Sequence, residues 1–168
     1  MRLFRNFIAI AFLLLACLSC QSRKEPIAQL QEQLKRDSIA LNELQQQYPE
    51  RIRADFRWCD SMLAFIPENQ VNESFDVLNL SQAYLHQFDE MLPIMKKTLS
   101  YTQQQLVNLQ NDIDTHFIND SLAAVYLKDE TAVADTLHNR ILYFQDRLSK
   151  QDKELQSLKK TIRKAASK

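Results

Sequence analysis

Not one glycine occurs in the 168 residues of this chain, where ordinary usage near 7% would place roughly twelve. Glycine is what lets a backbone turn with positive φ or approach a ligand closely. Its absence excludes glycine-rich phosphate loops, dinucleotide fingerprints and G-x-S-x-G elbows. Tight Asn-Gly hairpins are excluded as well, which argues against a β-rich fold. Only four prolines interrupt the chain, and 17 residues are Gln. Long helices follow, and the expected fold class is all-α.

The apolar residues repeat accordingly. Ile27, Leu30, Leu34, Leu41, Leu44 and Tyr48 form a narrow stripe broken by Asp37. Past Pro49 the phase slips, and Ile52, Phe56, Cys59, Leu63 and Ile66 take over; a proline there kinks a helix or begins a new one. Pro67-Glu68-Asn69 breaks the segment. In the second segment Leu78, Leu85, Leu92, Leu99, Leu106 and Ile113 recur every seven residues, with Phe88, Met95 and Leu109 at the partner positions. The third repeats Ala134, Ile141, Leu148, Leu155 and Ile162, supported by Leu137, Phe144 and Leu158, and Asn119-Asp120-Ser121 suits a helix start.

The segments span residues 25–66, 71–116 and 120–166, each about 65 Å as a helix at 1.5 Å per residue. Equal lengths and short links predict an elongated antiparallel three-helix bundle, similar in architecture to a spectrin repeat. The alternative breaks the second segment at Pro93 and gives a four-helix head on a two-helix stalk. Because Pro93 leaves the heptad phase undisturbed, a kink on the solvent side is favoured.

The N-terminus carries a different kind of information. Arg2 and Arg5 precede an apolar run from Phe7 to Ala16, followed by small residues and two cysteines. This is the layout of a secretory signal, and the run is short for a bilayer span, which needs about 20 apolar residues. Leu14-Leu15-Ala16-Cys17 resembles the lipobox of bacterial lipoproteins. That resemblance implies cleavage before the cysteine, its acylation and a palmitate-type lipid anchor. Cys17, with Leu14 at −3 and Ala16 at −1, is favoured. Cys20 is the alternative, and acylation there would leave Cys59 as the only thiol of the mature chain. The expected organisation is a signal peptide at 1–16 (1–19 if Cys20 is acylated), a short tether at 17–24 and a single helical bundle over 25–168. Cys59 reads as a small buried hydrophobe.

Charge is unevenly spread. Residues 149–168 hold seven Lys/Arg against two acids, whereas residues 21–148 hold twelve against nineteen. The basic end complements a helix dipole and could also meet an anionic envelope polymer or lipid surface. The terminal Lys168 behind a coiled-coil body resembles the murein lipoproteins, in which that lysine is joined to peptidoglycan; this chain is longer, carries proline breaks and shares no repeat with them. Between residues 52 and 95 lies an apolar belt wider than a seam requires. Its residues Phe56, Trp58, Met62 and Phe65 are a candidate partner surface for a second copy or a helical protein.

Asp-Ser/Thr-apolar tripeptides occur four times, around Ser38, Ser61, Ser121 and Thr136, where composition predicts about half a match. The pattern resembles the acceptor motif of a general O-glycosylation system acting on exported proteins of some diderm bacteria, which implies those four hydroxyls as acceptors. Capping alone explains Ser121 but not the three inside helical segments.

Signals for catalysis are poor. His86, His116 and His138 are scattered, without an H-E-x-x-H or Cys-x-x-Cys partner. Asp112 and His116 share a helix face at i, i+4, a spacing common by chance. No metal site, cofactor or nucleic-acid partner is expected. The chain reads as a non-enzymatic, lipid-anchored structural or adaptor bundle of the cell envelope, and the absence of Asp after the acylated cysteine favours the outer membrane by resemblance to sorted lipoproteins. The alternative is a helical module that holds an apolar ligand or lipid in the belt.

Overall fold

A computed structural model describes the backbone of residues 2–66 and 72–166 and the side chains of residues 25–66 and 74–166. Its elements are α1 (Arg2–Gln47), α2 (Pro49–Leu63), α3 (Asn72–Asp114) and α4 (Asp120–Ala166). Among the described residues there is no strand, and the fold is an all-α helical bundle. The backbone of α1 is helical from Arg2 onward, through the stretch read as signal and tether. The side chains of Cys17 and Cys20 lie outside the described residues, as do Lys168 and the break at Pro67-Glu68-Asn69.

The heptad positions are the core. Ile27, Leu34, Leu41, Ile52, Phe88, Met95, Leu106, Ile141, Phe144, Leu148, Leu155 and Ile162 are all essentially removed from water. The stalk alternative fails at Pro93, because α3 runs through it without a break. Pro93 is exposed, so the peptide hydrogen bond it forfeits lies where water satisfies the freed carbonyl. Pro49 acts differently. It sits at the first position of α2, where its missing N–H is not needed, and the Tyr48 carbonyl accepts the first helical bond from the Ile52 N–H at 2.9 Å.

Contacts divide the chain into two compact units, one of Met1–Arg36 with Ser100–Ala134 and one of Asp37–Leu99 with Asp135–Lys168. In the first, Ile27 of α1, Leu109 of α3 and Ala123 of α4 form a buried cluster, with Ile113, Ile118 and Leu127 packed against it. In the second, the pairings reveal helix direction. Asp37–His138, Arg51–Asp152 and Asp55–Gln156 are all separated by 101 residues, a constant offset that only parallel helices give. Gln45–Lys96 and Arg53–Asp89, and likewise Ser81–Gln151 and Phe88–Phe144, run in opposite senses along their helices. The segment formed by the end of α1 and α2 is thus parallel to α4, and α3 is antiparallel to both.

The link from α3 to α4 shows how a helix ends without glycine. His116 takes the left-handed conformation, φ 56°. The Phe117 N–H bonds the Asp112 carbonyl at 2.9 Å, and the His116 N–H bonds the Ile113 carbonyl at 3.1 Å. These are the two bonds of a Schellman cap. Asn119 then caps α4, its side-chain oxygen accepting from the Leu122 N–H at 2.9 Å. The helix-face pairing of Asp112 with His116 is therefore corrected: α3 stops at Asp114, and His116 has already left its face. A side chain with a Cβ in this conformation costs roughly 1–2 kcal/mol. His116→Gly should raise stability by about 0.5–1 kcal/mol after the extra freedom of the unfolded chain is subtracted. A higher urea midpoint at unchanged slope is the expected result.

Candidate functional site

The second unit contains a place where the apolar belt and the basic end of the chain come together. α2 presents Asp55, Trp58 and Cys59 on one side of its last turns. Opposite them, α4 brings Gln156, Lys159 and Arg163. The Asp55 carboxylate is buried and accepts hydrogen bonds from both the Gln156 amide and the Lys159 ammonium. Lys159 Nζ also stands 5.6 Å from the centre of the Trp58 ring, and the Arg163 guanidinium 5.3 Å from it. The indole is thus faced by two cations one helical turn apart, an arrangement that uses the negative face of the ring.

Cys59 is fully buried beneath this cluster. Burial pushes its thiol up to about 11, and the neighbouring Asp55 charge adds to the effect while Lys159 opposes it. The thiolate, the reactive form, is therefore scarce at neutral pH. Cys59 is a packing residue, as its place in the stripe suggests.

The belt is not one open surface. Phe56, Trp58 and Met62 are half-buried, whereas Phe65, in the turn after α2, is 83% exposed. The four hydroxyls differ too. Ser61, Ser121 and Thr136 are exposed; Ser38 is half-buried. The preceding Asp37 is buried and held by His138 Nδ1 at 2.6 Å. The Ser61 hydroxyl donates to the Trp58 carbonyl at 2.9 Å.

Several polar residues that structure these units escaped the sequence reading. Ser74, Ser81 and Thr102 occupy the same seven-residue register as Phe88, Met95 and Leu109, and Gln151 occupies that of Phe144 and Leu158. Extending each register through its polar positions would have found them. Ser81 donates to Gln151 at 3.0 Å, and Gln151 in turn donates to Glu154 at 2.9 Å. Asp37 and Asp55 meet their partners likewise across helices. A slip of one heptad would leave Ser81, Gln151, Asp37 and Asp55 without their cross-helix partners at a cost of about 1–3 kcal/mol each, so these four select the register.

Among the described residues, the remaining histidines and carboxylates form no comparable assembly. His86 lies 3.4 Å from Glu90 on the exposed side of α3. In the first unit, Gln105, Asn108, Asp112, Tyr126, Asp129 and Glu130 line a groove of about 290 Å³. There burial, and then the Asp129 charge, raises the Glu130 carboxyl above its ordinary range. In the second unit Thr136 lines an open groove of about 410 Å³ together with Gln87, Arg140 and Tyr143. Among the described residues 25–66 and 74–166, no group of three or more His, Cys, Asp and Glu side chains is placed to hold a metal ion, and no helical stretch is long and apolar enough to cross a membrane.

Against this geometry, comparison with known proteins adds no family: no family model, no curated protein and no solved structure matches this chain significantly.

Proposed function

We propose that this protein is a lipid-anchored, non-enzymatic lipoprotein of a bacterial envelope, more specifically of the outer membrane, acting as a structural or adaptor bundle. The observation that carries the reading is the N-terminal sequence, in which Arg2 and Arg5, the run Phe7 to Ala16 and Leu14-Leu15-Ala16-Cys17 follow in the order an export-and-acylation signal requires. The bundle supports it as a scaffold. Buried heptad residues fill each unit, and the belt that suggested an apolar ligand site is faced at Trp58 by cations. An adaptor role needs outward surfaces for a helical partner or a second copy.

Counting thiols in the protein extracted from membranes and reduced tests the anchor and identifies the acylated residue. With the lipid on Cys17, the folded protein titrates one thiol, Cys20, and the unfolded protein two, because burial protects Cys59 until unfolding. With the lipid on Cys20, the counts are none and one. Cys17→Ala should abolish acylation in the first case and leave it intact in the second. A protein that stays out of the membrane fraction and has the mass of bare polypeptide would sink the proposal.

The same intact mass reads the second part of the proposal, that Ser61, Ser121 and Thr136 carry O-linked glycan. Their exposure supports it, as a modified side chain must face solvent. Ser38, half-buried behind the Asp37–His138 pair, is the poorest acceptor of the four. A mass equal to polypeptide plus lipid rejects glycosylation without touching the anchor.

A further inference from the structure

Two features that lie far apart in the sequence, the aromatic belt and the basic C-terminal turns, occupy one place in the second unit. From Leu155 to the end, the chain carries Lys159, Lys160, Arg163, Lys164 and Lys168 and no acid. Lys159 is committed to Asp55 and Trp58. Arg163 is exposed while its guanidinium stays beside the indole, and Lys160, one residue after Lys159 on α4, is exposed. Trp58, Met62 and Phe65 follow one another at i, i+4 and i+7 along α2 and its terminal turn. Exposure rises along that line, from a half-buried Trp58 to Phe65 at 83%.

We infer that this end of the second unit docks on an anionic phospholipid bilayer. The chemistry needs both halves of the patch. A soluble polyanion would satisfy the cations but leave Phe65 in water, and an apolar helix would cover Phe65 but leave the cations unmatched. A bilayer interface offers phosphates beside an apolar layer, the environment in which Trp and Phe flanked by Lys and Arg reside. Asp60 and Asp76 are also exposed in this unit. They keep the net charge modest, so binding depends on anionic lipid and weakens with salt. The inference rests on the envelope reading above for its source of lipid surface, but its contact is separate from the acyl anchor.

Trp58 is the only tryptophan of the chain, so its fluorescence reports from within the patch. The lipidated full-length mature protein is first reconstituted into phosphatidylcholine vesicles; co-flotation with them reads the anchor alone. Vesicles of phosphatidylglycerol with brominated acyl chains are then added at low salt. The expected result is quenching of Trp58 that is absent with brominated phosphatidylcholine and fades toward 0.5 M salt, where the Debye length has shrunk to about 4 Å. Lys160→Gln should weaken vesicle binding about fivefold, the usual effect of one cation near an anionic surface. Phe65→Ser should weaken it further, and both variants should retain full helicity because the two side chains are exposed. Absence of quenching by the phosphatidylglycerol vesicles overturns the inference, as does equal quenching by both lipids. An emission change produced by polyglutamate but not by vesicles assigns the patch to soluble polyanions and also overturns it. A change that follows protein concentration alone assigns it to a second copy, with the same consequence. Failure to float with phosphatidylcholine in the first step counts against the anchor, leaving the lipid docking to be read from the quenching arm on the unanchored protein.

Discussion

Phe144→Ala will remove about 3–5 kcal/mol of stability, enough to unfold the second unit if its total lies at the low end of the 5–15 kcal/mol usual for a domain. Phe144 is 1% exposed, and its ring meets that of the fully buried Phe88 edge to face, with centroids 5.3 Å apart at 70°. Truncation to the β-carbon loses the transfer energy of the ring, opens a cavity between α3 and α4 and forfeits the ring–ring contact. Two long helices supply the walls, and helices packed along heptads on both sides of a layer collapse poorly into a single missing ring. Chemical denaturation followed by circular dichroism measures the effect. A loss below about 1.5 kcal/mol would mean that the two rings are not the central layer their burial makes them. Phe144→Leu, which keeps most of the volume, should recover more than half of the loss.

The second large effect is expected at Lys159. Replacing it by Met keeps the length of the side chain but leaves the buried Asp55 carboxylate with only the Gln156 amide. Removing one partner from a buried pair typically costs about 3–5 kcal/mol, because the orphaned charge keeps its desolvation penalty. Side-chain exposure is 10% for Asp55 and 19% for Lys159, low enough for that range to hold near its lower end. The lost interaction with Trp58 adds about 0.5–1 kcal/mol. Removing both charges, as in D55L/K159M, should restore most of the stability, since a well-packed apolar pair is often as stable as a buried ion pair. The double-mutant cycle from urea midpoints is the decisive measurement. If the loss in the double variant equals the sum of the losses in D55L and K159M, the pair does not act as a unit.

The same pair illustrates what could and could not be read in advance. The heptads identified nearly every buried apolar residue, because helix period is a property of neighbouring residues and needs no partner. The apolar stripe also carried Pro93 inside α3, whereas at Pro49 it left a kink and a new helix start both open, and the structure shows the start. Asp37 was legible only as a break in the stripe. Its burial opposite His138 follows from which turn of α4 lies beside it, and no local rule states that. His116 misled the helix-face argument for a related reason. In a chain without glycine the left-handed cap falls to a residue that carries no sequence label for it.

The candidate site shows the same division. Trp58 belonged to an apolar belt and Lys159 and Arg163 to a basic tail, and read separately they suggested a partner surface and a helix end matched to its dipole or to an anionic surface. Their meeting over one ring was invisible because they are 101 and 105 residues apart in sequence, joined only through the parallel packing of α2 and α4.

By itself, then, the sequence determined an all-helical chain and its core positions, because periodicity and missing glycine are local; the proposed export and acylation rest on the N-terminal residues alone. The tertiary structure alone decided which polar residues are buried together and that the basic end lies over Trp58. Those outcomes depend on the offset between helices, which is set by the buried polar pairs and by link lengths acting together, and no single segment encodes it.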